Sequence, residues 1–182
     1  MCILITGTPG TGKTTIARRV AQSLGKDYLD LADLVKKHRL YIRYDEETDS
    51  FIVDLNRTQK HLDALLTCNE IIDTHLVEAV PPEKISKAIV LRLDPMILFE
   101  RLKAREYSER KIKENVEAEI LDYVLISALN RFGENKVFEV DTTGKNIGEV
   151  VEIITRIILK NGKIFRPGSV NWLEKYYFLI EK

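Results

Sequence analysis

Several things are scarce in this 182-residue chain, and each scarcity narrows the field. There are two cysteines, Cys2 and Cys68. They stand far apart without metal-ligand spacing, so both read as reduced, buried small hydrophobes. Net charge is missing: 28 basic and 28 acidic residues cancel, which removes any electrostatic case for wholesale nucleic-acid binding and leaves only local patches. No apolar run approaches membrane-spanning length, and no repeat or low-complexity segment occurs. A glycine-rich stretch begins at Gly7, so no room for a signal or transit peptide is expected, and cytoplasmic residence is the default expectation. What remains, at 45% hydrophobic and 31% charged residues, is an ordinary globular composition long enough for one domain with a full core.

The glycine-rich stretch organises the chain. Gly7-Thr8-Pro9-Gly10-Thr11-Gly12-Lys13-Thr14-Thr15 follows the apolar run Cys2-Ile3-Leu4-Ile5 and matches the phosphate-binding pattern G-x-x-x-x-G-K-[ST]. Glycines let backbone N–H groups curl around phosphate oxygens, and the helix that follows adds its positive dipole end. Lys13 supplies a mobile charge for the β- and γ-phosphates, and the Thr14 hydroxyl is placed to ligate Mg²⁺. Gly10, Thr11, Gly12, Lys13, Thr14 and Thr15 are therefore the expected ATP-binding residues. The chain is expected to bind a nucleotide.

Periodicity supplies the rest of the frame. Helical patterns at 15–24, 32–38, 56–68, 94–105, 111–131 and 147–159 alternate with strand-like runs at 2–5, 27–31, 70–73, 88–93 and 137–140. Gly25 reads as a helix C-cap, Asp94-Pro95 as a helix start, and Ser169 as the N-cap of a last short helix. The segment 40–50 reads as irregular and polar. Five strands interleaved with helices predict a three-layer α/β domain with a mainly parallel sheet, its ligand at the carboxyl ends of the strands.

A phosphate loop needs a second acidic group to help hold Mg²⁺, usually an Asp ending a neighbouring strand. Asp73, after Ile71-Ile72, is the first choice, with Asp54 and Asp141 behind it. His75 is expected to orient a water or touch a phosphate, and the alternative is a structural histidine at the sheet edge. His38 and His61 read as solvated. Phosphoryl transfer spreads charge that positioned cations stabilise, and Arg105 and Arg110 sit where a lid would connect two helices. Asp141-Thr142-Thr143-Gly144 reads as a strand-to-helix turn, and Lys145 beyond it is placed to lie against an adenine face. The aromatic tail from Lys163 is expected to pack on the core or to form a partner surface.

Together the phosphate loop, Asp33-Leu34, Tyr44-Asp45-Glu46-Glu47, Asp73-Thr74-His75 and the run Arg101 to Arg105 with Tyr107 resemble the adenylate kinase isoenzyme 6 family. That family includes the eukaryotic nuclear coilin-interacting ATPase, a yeast factor for pre-ribosome maturation and archaeal relatives. The resemblance covers about residues 1–158. It implies one adenylate-kinase-like P-loop NTPase domain over 1–182, with a nucleoside-monophosphate-binding segment near 30–53, a short lid near 103–113 and a C-terminal extension near 162–182. It implies Asp33, Tyr44 and Asp45 at the monophosphate, Arg105 on ATP, and Asp73 with His75 as a Walker-B-like pair. It further implies adenylate kinase and ATPase activity, Mg²⁺ with ATP, and a role in small-ribosomal-subunit maturation through a platform ribosomal protein and transient pre-ribosome contact. The tail resembles archaeal members, consistent with a cytoplasmic setting.

The glycine-aromatic-proline-arginine motif of ordinary adenylate kinases is absent, and lid arginines are few. Modest or broad-specificity kinase activity is the expectation. Two other readings stay open: an assembly factor whose nucleotide cycle switches a complex, and a small-metabolite kinase.

Overall fold

The computed structural model describes residues 1–46, 50–160 and 163–180. In chain order the strands are β1 (Cys2–Gly7), β2 (Asp27–Asp30), β3 (Tyr41–Asp45), β4 (Ser50–Val53), β5 (Glu70–Asp73), β6 (Ile85–Arg92) and β7 (Val137–Asp141). The helices are α1 (Lys13–Leu24), α2 (Leu31–His38), α3 (Leu55–Leu65), α4 (Pro95–Lys103), α5 (Glu109–Ile120), α6 (Tyr123–Phe132), α7 (Ile147–Lys160) and α8 (Trp172–Tyr176). β1 is buried along its whole length, as a strand covered on both faces must be. Its side chains alternate between layers: Cys2 and Leu4 enter one core, Ile3 and Ile5 the other.

The main sheet runs β2-β5-β1-β6-β7, with every neighbouring pair parallel. Parallel pairing requires a crossover between consecutive strands, and the helices that make those crossovers form the outer layers. On one face, Ile16, Ala17, Val20 and Ala21 of α1 join Val150, Ile154 and Ile157 of α7. On the other, α2, α3 and α6 contribute Leu31, Val35, Leu62, Val124, Leu125, Ala128 and Phe132. A third cluster holds Leu98 and Leu102 of α4, Ile112, Val116 and Ile120 of α5, and Tyr176 of α8. This is a three-layer α/β fold with a five-stranded parallel sheet.

Five local expectations are corrected by the structure. The segment 40–50 is not irregular: β3 and β4 pair antiparallel, with Tyr44 opposite Phe51 and Asp45 opposite Ser50. A register irregularity between Tyr41 and Arg43 breaks the period of two that would have disclosed the strand. Glu47 of the Tyr44 run, with Thr48 and Asp49, lies outside the described residues. The helix expected over 111–131 is two helices, broken where Asp122 adopts φ 57° and accepts from the Arg92 guanidinium. The last helix is capped by Asn171, whose Oδ1 accepts from the Glu174 N–H at 3.1 Å, while Ser169 turns to Glu139. His38 is exposed as expected, but His61 is half-buried, its ring tilted 44° to that of His38 at 4.5 Å between centroids and its Nε2 buried without a hydrogen-bond partner; Cys68 is half-buried rather than buried.

Candidate active site

The loop between β1 and α1 is shaped by close approach. A Cβ on Gly10 would lie 2.6 Å from Leu98 Cδ1 and 3.0 Å from Leu102 Cδ2, at φ +100°. The N-cap of α1, Gly12, makes no side-chain capping hydrogen bond, which leaves the first-turn amides for an anion. The Thr8 carbonyl gathers the loop: it accepts from the Thr11 N–H at 3.2 Å, Thr11 Oγ1 at 2.9 Å and Lys13 Nζ at 3.1 Å. Lys13 is buried, and loss of hydration lowers its pKa to about 8 despite the opposing charges of Asp73 and Glu119. A bound polyphosphate would favour its charged form again.

Asp73 ends β5 beside β1, with Ile5 as its register partner. Thr14 Oγ1 donates to Asp73 Oδ2 at 2.6 Å, and Tyr28 Oη donates to the same oxygen at 3.1 Å. Burial raises the Asp73 pKa against these hydrogen bonds and the Lys13 charge. A cation would relieve the cost of keeping the carboxylate ionised, and the hydroxyl and carboxylate form the hard oxygen set that suits Mg²⁺. Asp54 instead caps α3 through the Arg57 N–H, and Asp141 caps the turn before α7 through the Thr143 N–H.

One cleft of about 1160 Å³ runs from the phosphate loop to the β3–β4 hairpin. Its walls include Lys13, Thr14, Thr15, Asp73, His75, Arg105, Tyr44, Phe51, Tyr107 and Lys111. His75 lines this cleft from a solvent-exposed position. Desolvation by the surrounding walls, with repulsion from Lys13 and Lys111, lowers its pKa to about 4. The imidazole is therefore neutral at pH 7, a hydrogen-bonding group rather than a cation. Arg105, in the turn between α4 and α5, lines both this cleft and a second cavity of about 250 Å³. That cavity is also bordered by Gly12, Thr15, Thr142, Lys145 and Ile147.

Most residues read from the sequence meet here. Asp33 does not line the cleft: it sits on the exposed side of α2, its N–H donating to Asp30 Oδ1. Asp45 pairs with Ser50 near the hairpin tip, while Tyr44 reaches the cleft. Arg110 engages Glu114 on its own helix at 2.9 Å. Three residues escaped the sequence reading: Asp30 and Lys36, which line the cleft, and Tyr28, which donates to Asp73. Asp30 stands in register with Asp73 at the end of the adjacent strand, so the rule that found Asp73 would have found it too. Tyr28 and Lys36 carry no comparable sequence signal.

A strand, a glycine loop cradling a lysine, a helix, and a carboxylate ending the neighbouring strand define a P-loop NTPase. An AAA-domain family model matches residues 3–122. Among curated proteins, a "Putative adenylate kinase" of Methanococcus maripaludis is 39% identical over 187 residues, covering 100% of each chain. One of Methanocaldococcus jannaschii is 39% identical over 97% of this chain and 96% of its own, and one of Pyrococcus abyssi is 42% identical over 99% and 96%. The chain belongs to this adenylate-kinase-like family. Among solved structures, shikimate kinase from Acinetobacter baumannii in complex with shikimate superposes with TM-score 0.63 at 17% identity, over 89% of this chain and 94% of that one. That likeness shows the fold alone.

Proposed function

We propose that the protein is a nucleoside monophosphate kinase, converting ATP and AMP to two ADP, with a slower ATPase activity when no acceptor is bound. The observation that carries this reading is the continuity of the cleft: Lys13 and the Thr14–Asp73 pair stand at one end, the aromatic hairpin of Tyr44 and Phe51 at the other. A donor held on the loop has its terminal phosphate facing space fit for an acceptor. Residues 30–53 act as the monophosphate segment and 103–113 as the lid.

In this mechanism an acceptor phosphate oxygen forms a bond to the γ-phosphorus as the bond to the β,γ-bridging oxygen breaks, releasing ADP. Lys13 and the loop amides stabilise charge on the moving group, and Arg105 closes over it. Thr14 and Asp73 would hold Mg²⁺, directly or through water, and the ion would supply charge neutralisation to the bound polyphosphate. Neutral His75 positions a water when the acceptor is missing. By the isoenzyme 6 resemblance, the proposal extends to small-subunit maturation with a platform ribosomal protein as partner.

The test is ADP release from Mg·ATP, alone and with each nucleoside monophosphate, for wild type and Lys13→Ala. Strong stimulation by AMP, lost in the variant, is expected. Slow release indifferent to every acceptor would replace the kinase with an ATP-driven assembly switch.

A further inference from the structure

Arg92 is about 1% exposed at the end of β6, yet it is surrounded by three carboxylates rather than by apolar side chains. Its Nε donates to Glu119 Oε1 at 2.8 Å and its Nη1 to Glu139 Oε1 at 2.7 Å. Its Nη2 reaches both the Glu119 carbonyl, at 2.9 Å, and the Asp122 carboxylate. Desolvating such a cluster gives little net stability, and apolar residues of the same volume would often serve stability better. Its geometry, by contrast, is heavily determined. Glu119 Oε1 is further held by the Leu93 N–H at 3.1 Å, and Oε2 accepts from the Thr8 hydroxyl. Thr8 is the residue whose carbonyl gathers Thr11 and Lys13.

We propose that Glu119 is a positioning residue for the phosphate loop: clamped by Arg92, it fixes Thr8 and, through the Thr8 carbonyl, the ammonium of Lys13. This deepens the phosphoryl-transfer reading and rests on it for its catalytic consequence. Glu119 lies on α5, the helix that leads out of the proposed lid, so one buried side chain ties the lid's root to the phosphate cradle. The guanidinium also ends a second branch. Glu139 Oε2 accepts from the Gly168 N–H at 2.9 Å, the Ser169 N–H at 3.0 Å and Ser169 Oγ at 3.2 Å, so the C-terminal segment is pinned to the same cluster.

The test compares Thr8→Val, Thr8→Ser, Glu119→Gln and the Thr8→Val/Glu119→Gln double variant with wild type. Thr8→Val is expected to lower kcat about tenfold with KM for ATP within about twofold, because the lysine is misplaced rather than removed. Thr8→Ser keeps the hydroxyl and should restore the rate, and the double variant should be no worse than the poorer single one. A readout independent of turnover is amide hydrogen exchange at residues 10–13, expected to quicken about tenfold in Thr8→Val and Glu119→Gln but not in Thr8→Ser. Unchanged exchange and unchanged kcat in a folded Thr8→Val would overturn the proposal, as would full additivity in the double variant. Wild type that transfers no phosphate while showing this exchange pattern would overturn the kinase reading and uphold the positioning role.

Discussion

Thr14 Oγ1 and Asp73 Oδ2 lie 2.6 Å apart, joining the first turn of α1 to the carboxyl end of β5. The contact places a hydroxyl and a carboxylate at the point where the loop ends, although 59 residues separate them in sequence. Asp73→Asn keeps the size of the side chain and loses its charge. The Mg²⁺ concentration for half-maximal turnover should rise about 10- to 100-fold. Mn²⁺ binding in the presence of ATP, followed by electron paramagnetic resonance, gives the same answer without turnover. Unchanged metal affinity would remove Asp73 from the metal side.

Lys13→Met should lower kcat by about 10²–10³, the usual cost of removing one preorganised charge from a phosphoryl or oxyanion site. Its effect on stability has the opposite sign. The folded-state pKa of about 8 lies below the ordinary 10.5, so the unfolded chain holds this proton more tightly. The resulting cost is full below pH 8 and fades as pH rises toward 10.5. Denaturation midpoints at pH 7 should therefore be equal or higher in Lys13→Met, and the difference should shrink by pH 10.

His75 has a related signature in acid. Its pKa falls from 6.5 to about 4 on folding, so the unfolded state takes up the proton first. No cost exists above pH 6.5, and stability drops as pH falls from 6.5 toward 4. His75→Gln should flatten that part of the stability profile measured by urea denaturation. A wild-type profile with no slope attributable to residue 75 would contradict the lowered imidazole pKa.

Gly10→Ala should destabilise the protein by about 1–3 kcal/mol, because its backbone conformation disfavours a side chain and α4 fills the space. The Leu98 and Leu102 methyl groups stand within about 3 Å of the added carbon. Thermal unfolding checks the stability, and weakened ATP binding should accompany the shift. A wild-type melting temperature would show that α4 yields more easily than its packing implies.

Tyr176 Oη donates to Asp94 Oδ2 at 2.7 Å, and Lys175 Nζ reaches the same oxygen at 2.9 Å. Burial alone would raise the Asp94 pKa, but these hydrogen bonds hold it below the ordinary carboxylate value. Tyr176→Phe should cost about 1.5–3 kcal/mol, the range for a hydrogen bond to a charged group. Limited proteolysis should then cut first in the C-terminal segment. An unaltered cleavage pattern would mean that apolar contacts of α8 suffice to dock the tail.

The phosphate loop was legible because its function is written in contiguous residues, with glycines demanded by backbone geometry and Lys13 by charge. The main sheet was legible too, since each buried strand is an apolar run bounded by turns. The hairpin was not, because its pairing is irregular and β3 mixes charged and aromatic residues without a clean alternation. The break at Asp122 was hidden for a different reason. Nothing local disfavours helix across 111–131, and the break is made by Arg92, whose guanidinium meets the Asp122 carboxylate from 30 residues earlier.

By itself, the sequence determined the class of fold, the alternation of strands and helices and the candidate phosphate loop, since periodicity and a short contiguous motif are local properties, whereas the sheet order β2-β5-β1-β6-β7 came from the structure. Tertiary structure alone decided which carboxylate faces the loop. Asp73, Asp54 and Asp141 each follow a strand, but two of them spend their oxygens on nearby backbone N–H groups, and only Asp73 meets Thr14. It also decided that Arg92, Glu119 and Glu139 form one buried cluster. Such a cluster depends on three distant segments arriving together at one depth, and no single stretch of chain encodes that meeting.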